Sequence, residues 1–506
     1  MPGAGNRQNK KIYNSNIMKL ITLNKHTAQR TRRSLIVFAV AIIIPTFFGC
    51  IAVGPDYIRI KPKASQEWHT QLQDGLTNGE LNPETMAEWW TTLHDPELSR
   101  LAERAVKGNL DMKEARARIR EARARRGISK AAFFPSLDAG GSFVKYRSSE
   151  NNGTGKENEL YATGFDAGWE IDIFGGVKRS VEAAQAELEA VQESLHDVLV
   201  SLLAEVARNY IEVRTYQARL TATETNIKAQ EETCNLNRSR YKAGIIDELA
   251  VQQSLYNLER TRSQLPTLQT GLEAAKNRLA VLLGENPGAV HQELSERKPI
   301  PALPVSVAVG IPAETMRHRP DIRRAERNLA AQTARIGAAT ADLYPKFRLP
   351  GFIGLESISS GSLLESASRT WSIGPSVSWN IFDAGAIRQN IKVQSALQEQ
   401  AMIQYETAVL RAQEEVENVL VAYAKEQQRQ ESLLAGTAAA QRAYELSRGQ
   451  YKAGLVDFSE VLDAQRSLQT FQDDLARTNG AVTQNLVRLY KSLGGGWEKG
   501  DASINK

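Results

Sequence analysis

The chain matches itself at an offset of 210 residues. Leu236, Arg238, Tyr241, Lys242, Ala243, Gly244 and Asp247 recur as Leu446, Arg448, Tyr451, Lys452, Ala453, Gly454 and Asp457. The same offset pairs Asp111 with Asp321, Pro135 with Pro345, Trp169 with Trp379, Val206 with Val416 and Gly284 with Gly494. The register slips between Phe174/Phe382 and Arg179/Arg388. A repeat of this span means one structural unit used twice, so each half must fold into the same elements.

Within a unit the pattern reads helix, two strands, long helix, tight turn, helix. Leu101–Ile128 and Ile322–Leu343 have helical spacing, and each ends near a proline, Pro135 or Pro345. Val177–Lys242 and Ile387–Lys452 lack proline and are rich in helix formers. Each would run about 100 Å at 1.5 Å per residue. Gly244 and Gly454 fit the left-handed position that closes a helix. Return helices are expected over 248–283 and 459–493, and a proline-rich, exposed linker over 285–311.

Between the helices lie strands. Odd positions of 161–173 are Tyr161, Thr163, Phe165, Ala167, Trp169, Ile171 and Ile173, and even positions include Asp166, Glu170 and Asp172. Residues 371–381 alternate likewise through Trp371, Ile373, Pro375, Val377, Trp379 and Ile381. Segments 347–355 and 137–146 alternate more weakly. Period two marks strands. An apolar, aromatic face opposite a small, acidic one is how a transmembrane barrel strand reads, with Asp166, Glu170 and Asp172 toward the lumen. The alternative is a soluble sheet covered on one face. Four strands cannot close a barrel, and an open edge in lipid leaves backbone groups unpaired. Several chains must pool strands, and three would supply about twelve.

Charge is concentrated at the start. Residues 1–49 hold eight of the 63 Lys and Arg and no Asp or Glu, so the remainder carries 55 basic against 58 acidic residues. The net charge of +5 therefore reflects a leader and gives no argument for nucleic acid. After Arg32-Arg33 an apolar run of 14 residues extends from Leu35 to Phe48. That is short of the roughly 20 a spanning helix needs and reads as a signal peptide over 1–49, with Met1 or Met18 as the start. Gly49-Cys50 ends it as a lipobox does, so Cys50 is the expected lipid attachment, although Phe47-Phe48 departs from the usual pattern; the alternative is ordinary signal cleavage with Cys50 buried. With Cys50 lipidated, Cys234 stands alone and no disulfide framework is available.

Enzyme chemistry finds no footing here. The six histidines, at 26, 69, 94, 196, 291 and 318, are scattered, and there is no HExxH, phosphate loop or nucleophile elbow. No metal or organic cofactor is expected. A periplasmic coiled-coil structural protein would account for the long helices but leaves the alternating aromatic strands unexplained.

Several motifs together resemble one family. They are Cys50-Ile-Ala-Val-Gly-Pro-Asp-Tyr57, Trp89-Trp90 with Asp95-Pro-Glu-Leu98, His318-Arg-Pro-Asp-Ile322, the doubled turns Arg240-Tyr-Lys-Ala-Gly244 and Gln450-Tyr-Lys-Ala-Gly454, and Val461-Leu-Asp-Ala-Gln-Arg466. Over about residues 50–495 the chain resembles the TolC-like outer-membrane factors of Gram-negative tripartite efflux systems, and within them the NodT-type lipoprotein branch. The resemblance implies an α+β membrane protein: a trimer with a twelve-stranded transmembrane β-barrel, four strands per chain, continuous with a long periplasmic α-helical barrel. It implies an exit duct for small molecules such as drugs, working with a periplasmic adaptor protein and an inner-membrane pump of the RND type. Tyr241, Lys242, Ala243, Gly244, Tyr451, Lys452, Ala453 and Gly454 would be adaptor-contacting tips. Glu460, Asp463 and Arg466 match the family's periplasmic gate, where three copies of Glu460 and Asp463 would ring the axis. The alternative is a surface ion pair with Arg466, which also reads as a closed-state lock. A type I protein-secretion conduit is the other function within the family.

The expected organisation is a signal peptide (1–49), a lipid-anchored N-terminal segment (50–100), a helix (101–134), a first barrel hairpin (135–175), a long helical hairpin (176–284) and a linker (285–311). The second repeat follows as a helix (312–344), a barrel hairpin (345–386) and a helical hairpin (387–494), before a tail (495–506).

Overall fold

Two proline-free runs fold as single helices of 67 residues each, and they set the frame of the second half of each repeat. The structure is a computed structural model that describes residues 52–497 apart from 61–64, 66, 74, 80–81, 154 and 305. The expected signal peptide, Cys50 and residues 498–506 lie outside the described residues.

In chain order the helices are α1 (Pro83–Ala87), α2 (Pro96–Gly108), α3 (Leu110–Ala131), α4 (Gly176–Lys242), α5 (Glu248–Arg262), α6 (Gln264–Leu282), α7 (Pro312–His318), α8 (Pro320–Ala341), α9 (Ala386–Lys452) and α10 (Phe458–Ser492). The strands are β1 (Leu76–Thr77), β2 (Ser136–Arg147), β3 (Glu157–Ile171), β4 (Val307–Ala308), β5 (Lys346–Ser357), β6 (Arg369–Ile373) and β7 (Ser376–Ser378). Both ends of α3 and α8, and of α4 and α9, are separated by 210 residues, the offset read from the sequence.

The chain divides into two compact units. The first contains Lys130–Ser180, Arg335–Lys392 and residues through Pro55. It is an antiparallel sheet ordered β2-β3-β5-β6, with β7 also on β5. The fourth strand position is not continuous over 371–381 as expected. It breaks at Gly374-Pro375, because proline has no N–H to give to the ladder. Glycines pair across β3 and β5 at Gly164 and Gly354. The Phe352 ring lies over both, and a Cβ on either would meet it within 2.8 Å. Where the sheet hands over to the long helices, acids cap the turns. Asp172 accepts from the Lys178 N–H at 2.8 Å, and Asp383 accepts from Gly385 and Ile387 at 2.8 and 2.7 Å. The Ile387 N–H holds the Asp383 carboxyl below its ordinary range. The segment after Cys50 is clamped in this unit: Val53 N–H donates to Phe174 O, and Arg179 donates to Val53 O at 3.1 Å. Gly54, at φ +89°, passes so near Gly337 that a Cβ would fall 2.4 Å from its Cα.

The second unit contains Asp56–Ser129, Val181–Ala334 and the chain from Val393. Its core joins Trp89, Leu98, Leu101 and Leu203 to Leu486, Leu489 and Tyr490, with Trp89 stacked on Tyr490 at 5.3 Å. The Asp95-Pro-Glu-Leu98 motif is explained by packing. Asp95 caps α2 through the Glu97 and Leu98 N–H groups and accepts from the Tyr210 hydroxyl at 2.6 Å. Glu97 meets the fully buried Arg214 at 2.7 Å. Arg214 also donates to Glu296 O and to Gln217 Oε1. The His318-Arg-Pro-Asp-Ile322 motif is likewise structural: Arg319 pairs with Asp321 at 2.9 Å and Glu415 at 2.7 Å.

Four expectations are corrected. The helix expected over 312–344 is two, α7 and α8, because Pro320 biases Arg319 before it to extended backbone. The run 101–128 is two helices, because buried Asn109 leaves the helix, caps α3 at the Met112 N–H and donates to Leu282 O. The first return helix, expected over 248–283, breaks at Ser263, because Pro266 cannot donate to the Arg262 carbonyl and clashes with it. Its counterpart in the unbroken α10 is Ala476. The linker 285–311 is not exposed throughout. Val290, Leu294, Val307 and Val309 are buried, and β4 pairs in parallel with β1.

Candidate functional site

One face of the sheet is apolar and open. Ladder register puts Leu137, Phe143, Phe165, Trp169, Ile171, Ile353, Trp371, Ile373 and Val377 on the same side. All are exposed, Trp371 to 74%. An exposed apolar surface of this extent marks a partner or a membrane. The opposite face carries Asp138, Asp166, Glu170, Arg348, Glu356, Ser372 and Ser376. Asp166 sits opposite Asp138 and Phe352, and Glu170 pairs with Arg348 at 3.2 Å. Asp172 lies one residue beyond β3 and serves as a backbone cap, so it is not a strand residue facing along with Asp166 and Glu170. Among the described residues β2 pairs only with β3, and β6 and β7 only with β5, so both edges of the sheet are unpaired. No described helix is long and apolar enough to cross a membrane.

The two hairpin tips close in the same way. Gly244 N–H bonds Tyr241 O and Ile245 N–H bonds Arg240 O, both at 2.9 Å. Gly454 N–H bonds Tyr451 O at 3.0 Å, and Leu455 N–H bonds Gln450 O at 2.9 Å. These are Schellman closures, with φ of +71° and +75° at the glycines. Lys242, Ala243 and Gly244 are exposed, as are Lys452, Ala453 and Gly454. The tyrosines differ: Tyr241 is 45% exposed and Tyr451 5%. Tyr451 is withdrawn because its hydroxyl donates to Asn237 Oδ1 at 2.8 Å and its ring packs under Arg240 and beside Phe458.

Glu460 and Asp463 begin α10 on an exposed side. Arg466 approaches Asp463 at 3.7 Å and donates to the hydroxyl of Tyr256, with its guanidinium 5.5 Å from that ring centroid. No partner for the Glu460 carboxylate is found among the described residues. Beside this cluster a seam of buried polar side chains joins α5 and α10. Asn257 contacts Gln465 at 3.3 Å, Thr261 contacts Gln469 at 3.4 Å, and Gln469 donates to Gln264. Sequence reasoning placed Arg240 in the motif of the first turn without giving it a role, and missed Tyr256 and this seam. The signal was polar residues four apart on both return helices, Asn257/Thr261 and Gln465/Gln469, where an apolar stripe would be usual. No group of three or more metal-binding side chains occurs among the described residues.

A family model described as outer membrane efflux protein matches residues 101–285 and 311–495, both repeats. The chain belongs to this family. It is 32% identical over 459 residues to Nodulation protein T of Rhizobium leguminosarum bv. trifolii, covering 88% of this chain and 93% of that protein. It is 29% identical over 475 residues to outer membrane protein OprJ of Pseudomonas aeruginosa, covering 92% and 97%. Among solved structures it resembles the outer-membrane channel OprN with a TM-score of 0.82 and 34% identity, covering 88% of this chain and 99% of that one. As a member of the outer membrane efflux protein family the chain is an outer-membrane protein.

Proposed function

We propose that three copies form the outer-membrane exit duct of a tripartite efflux system, passing small molecules outward. The open apolar sheet face with two unpaired edges carries this reading. In lipid each unpaired backbone group costs several kcal/mol, and pooled strands from neighbouring copies remove the edges. Trp169, Trp371 and Trp379 then face lipid, and Asp166 and Glu170 line the lumen. Cys50 carries the lipid anchor.

The internal repeat supports the same assembly in the helical unit. Within one chain α8 covers α4: Arg323 pairs with Glu193 at 2.7 Å, Arg324 with Asp197 at 3.0 Å and Arg327 with Glu189 at 3.2 Å. Ala330 and Ala331 pack on Ala186. The counterparts 210 residues away stand open. On α3 these are Lys113, Glu114, Ala117, Arg120 and Glu121, and on α9 they are Ala396, Glu399 and Ile403. The two segments that carry them have opposite net charge. Helix α3 carries eight basic and three acidic residues, and 399–417 carries five acidic and one basic. Helix α3 of one copy therefore covers α9 of the next, as α8 covers α4 in-chain.

The tips at Lys242–Gly244 and Lys452–Gly454, with Tyr241, meet a periplasmic adaptor that couples the duct to an inner-membrane pump. Glu460 and Asp463 form the acidic ring of the gate, and Arg466 holds it closed through Asp463 and Tyr256. Charged rings of this kind select cations and repel one another when desolvated. The pump supplies the energy and chooses the cargo, and no cofactor is required.

Planar-bilayer conductance of the detergent-purified protein tests this reading. Small cation-selective steps are expected, with larger ones from Asp463→Ala. Equal steps in both remove Asp463 from the gate. No conductance from either, with a monomer on sizing, overturns the duct.

A further inference from the structure

We propose that Arg240 is a latch that holds the second hairpin tip to the first within one chain, and that it is a positioning residue of the closed duct. The inference rests on the duct reading above. Helix α9 ends at Lys452, where the last carbonyls carry the negative end of the helix dipole. Arg240, near the end of α4, donates Nη1–H to Tyr451 O and Nη2–H to Lys452 O, both at 3.0 Å. Its guanidinium also lies 4.8 Å from the Tyr451 ring centroid. Planar donation to two carbonyls combined with ring stacking suits arginine and not lysine. Two flanking contacts reinforce it: the Tyr451 hydroxyl on Asn237, and Arg448 on Glu232 at 3.0 Å.

The latch is one-sided. The counterparts of Arg240 and Asn237 in the second repeat are Gln450 and Ser447. Gln450 has no positive charge for a helix terminus, and among the described residues no side chain of the second tip donates to the carbonyls that end α4. The first tip keeps Tyr241 exposed, whereas the second has Tyr451 drawn in. Separation of the second hairpin from the first therefore requires Arg240 to release both carbonyls. This constraint acts between α4 and α9, away from the Arg466–Tyr256 contact between the return helices.

The test is planar-bilayer conductance of wild type, Arg240→Gln and Arg240→Lys at equal oligomer size on sizing. Arg240→Gln is expected to open with several-fold larger steps, and Arg240→Lys with intermediate ones, because an ammonium cannot span both carbonyls and stack. Arg240→Gln combined with Asp463→Ala should exceed either alone. Wild-type steps from Arg240→Gln would overturn the latch and leave the duct standing. Absence of conductance in every variant and in wild type would overturn the duct reading itself, and the latch with it.

Discussion

Arg466 donates a hydrogen bond to the hydroxyl of Tyr256, the residue 210 positions before it. The two positions are each other's repeat counterparts, and they touch. Asn257–Gln465 and Thr261–Gln469 are each 208 apart, so α5 and α10 run parallel in near register along this line. One repeat supplies an aromatic hydroxyl where the other supplies a cation.

Tyr256→Phe keeps the ring under Arg466 and removes the acceptor. The lost bond to a charged donor is worth about 2 kcal/mol. If Arg466 locks the gate, the variant should show more frequent open events in planar bilayers with unchanged oligomer size. Unchanged opening would leave Arg466 a surface residue.

Trp371 and Trp89 are opposite extremes of exposure, 74% and 0%. In vesicles containing brominated phospholipid, Trp371→Phe should remove a large part of the quenchable tryptophan emission. Trp89→Phe should leave that part intact. The reverse pattern would turn the apolar sheet face away from lipid.

Arg214 is fully buried and its Glu97 partner nearly so. Removing one partner of such a pair typically costs about 3–5 kcal/mol, because the other charge is left unpaired. Glu97→Gln should therefore lower the thermal midpoint by circular dichroism strongly. Arg214→Met with Glu97→Leu should recover much of the loss.

Acid should weaken the second unit in a defined window. Burial opposes ionisation of Asp321, but the Arg319 hydrogen bonds outweigh it and hold its carboxyl below the ordinary range. Burial likewise opposes ionisation of Glu293, and Arg104 and Arg100 prevail. A carboxyl depressed by folding binds protons more tightly when unfolded. Its contribution is complete above about pH 4.5 and is lost as pH falls through the folded value. The thermal midpoint should hold from pH 7 to about 5 and fall below about 4, and Glu293→Gln should flatten that fall. A midpoint declining steadily from pH 7 would assign the loss to other groups.

The repeat, the long helices and the glycine turns were legible because each rests on local chemistry: the absence of proline over 177–242, the left-handed glycine, the period-two strands. The breaks at Pro266 and Pro375 were also written in the sequence, as residues without an N–H, but the surrounding pattern masked them. The buried linker was not legible, because composition alone does not say that Val290 and Leu294 find a core. Nor was the difference between Tyr241 and Tyr451. The two sit in the same motif, and their burial is decided by Arg240, where the second copy of the motif has Gln450, and by Asn237, which lies outside it.

The assembly itself is tested most directly by a thiol cross-link between copies. Ala331 packs on Ala186 within the chain, and their counterparts are Glu121 and Ala396. In outer membranes carrying Glu121→Cys with Ala396→Cys, in a Cys234→Ala background, a short bifunctional maleimide should give dimer and trimer bands and nothing larger. Each single-cysteine chain should give monomer alone. Monomer alone from the double variant, in membranes where the protein is present and folded, would contradict three copies joined along α3 and α9.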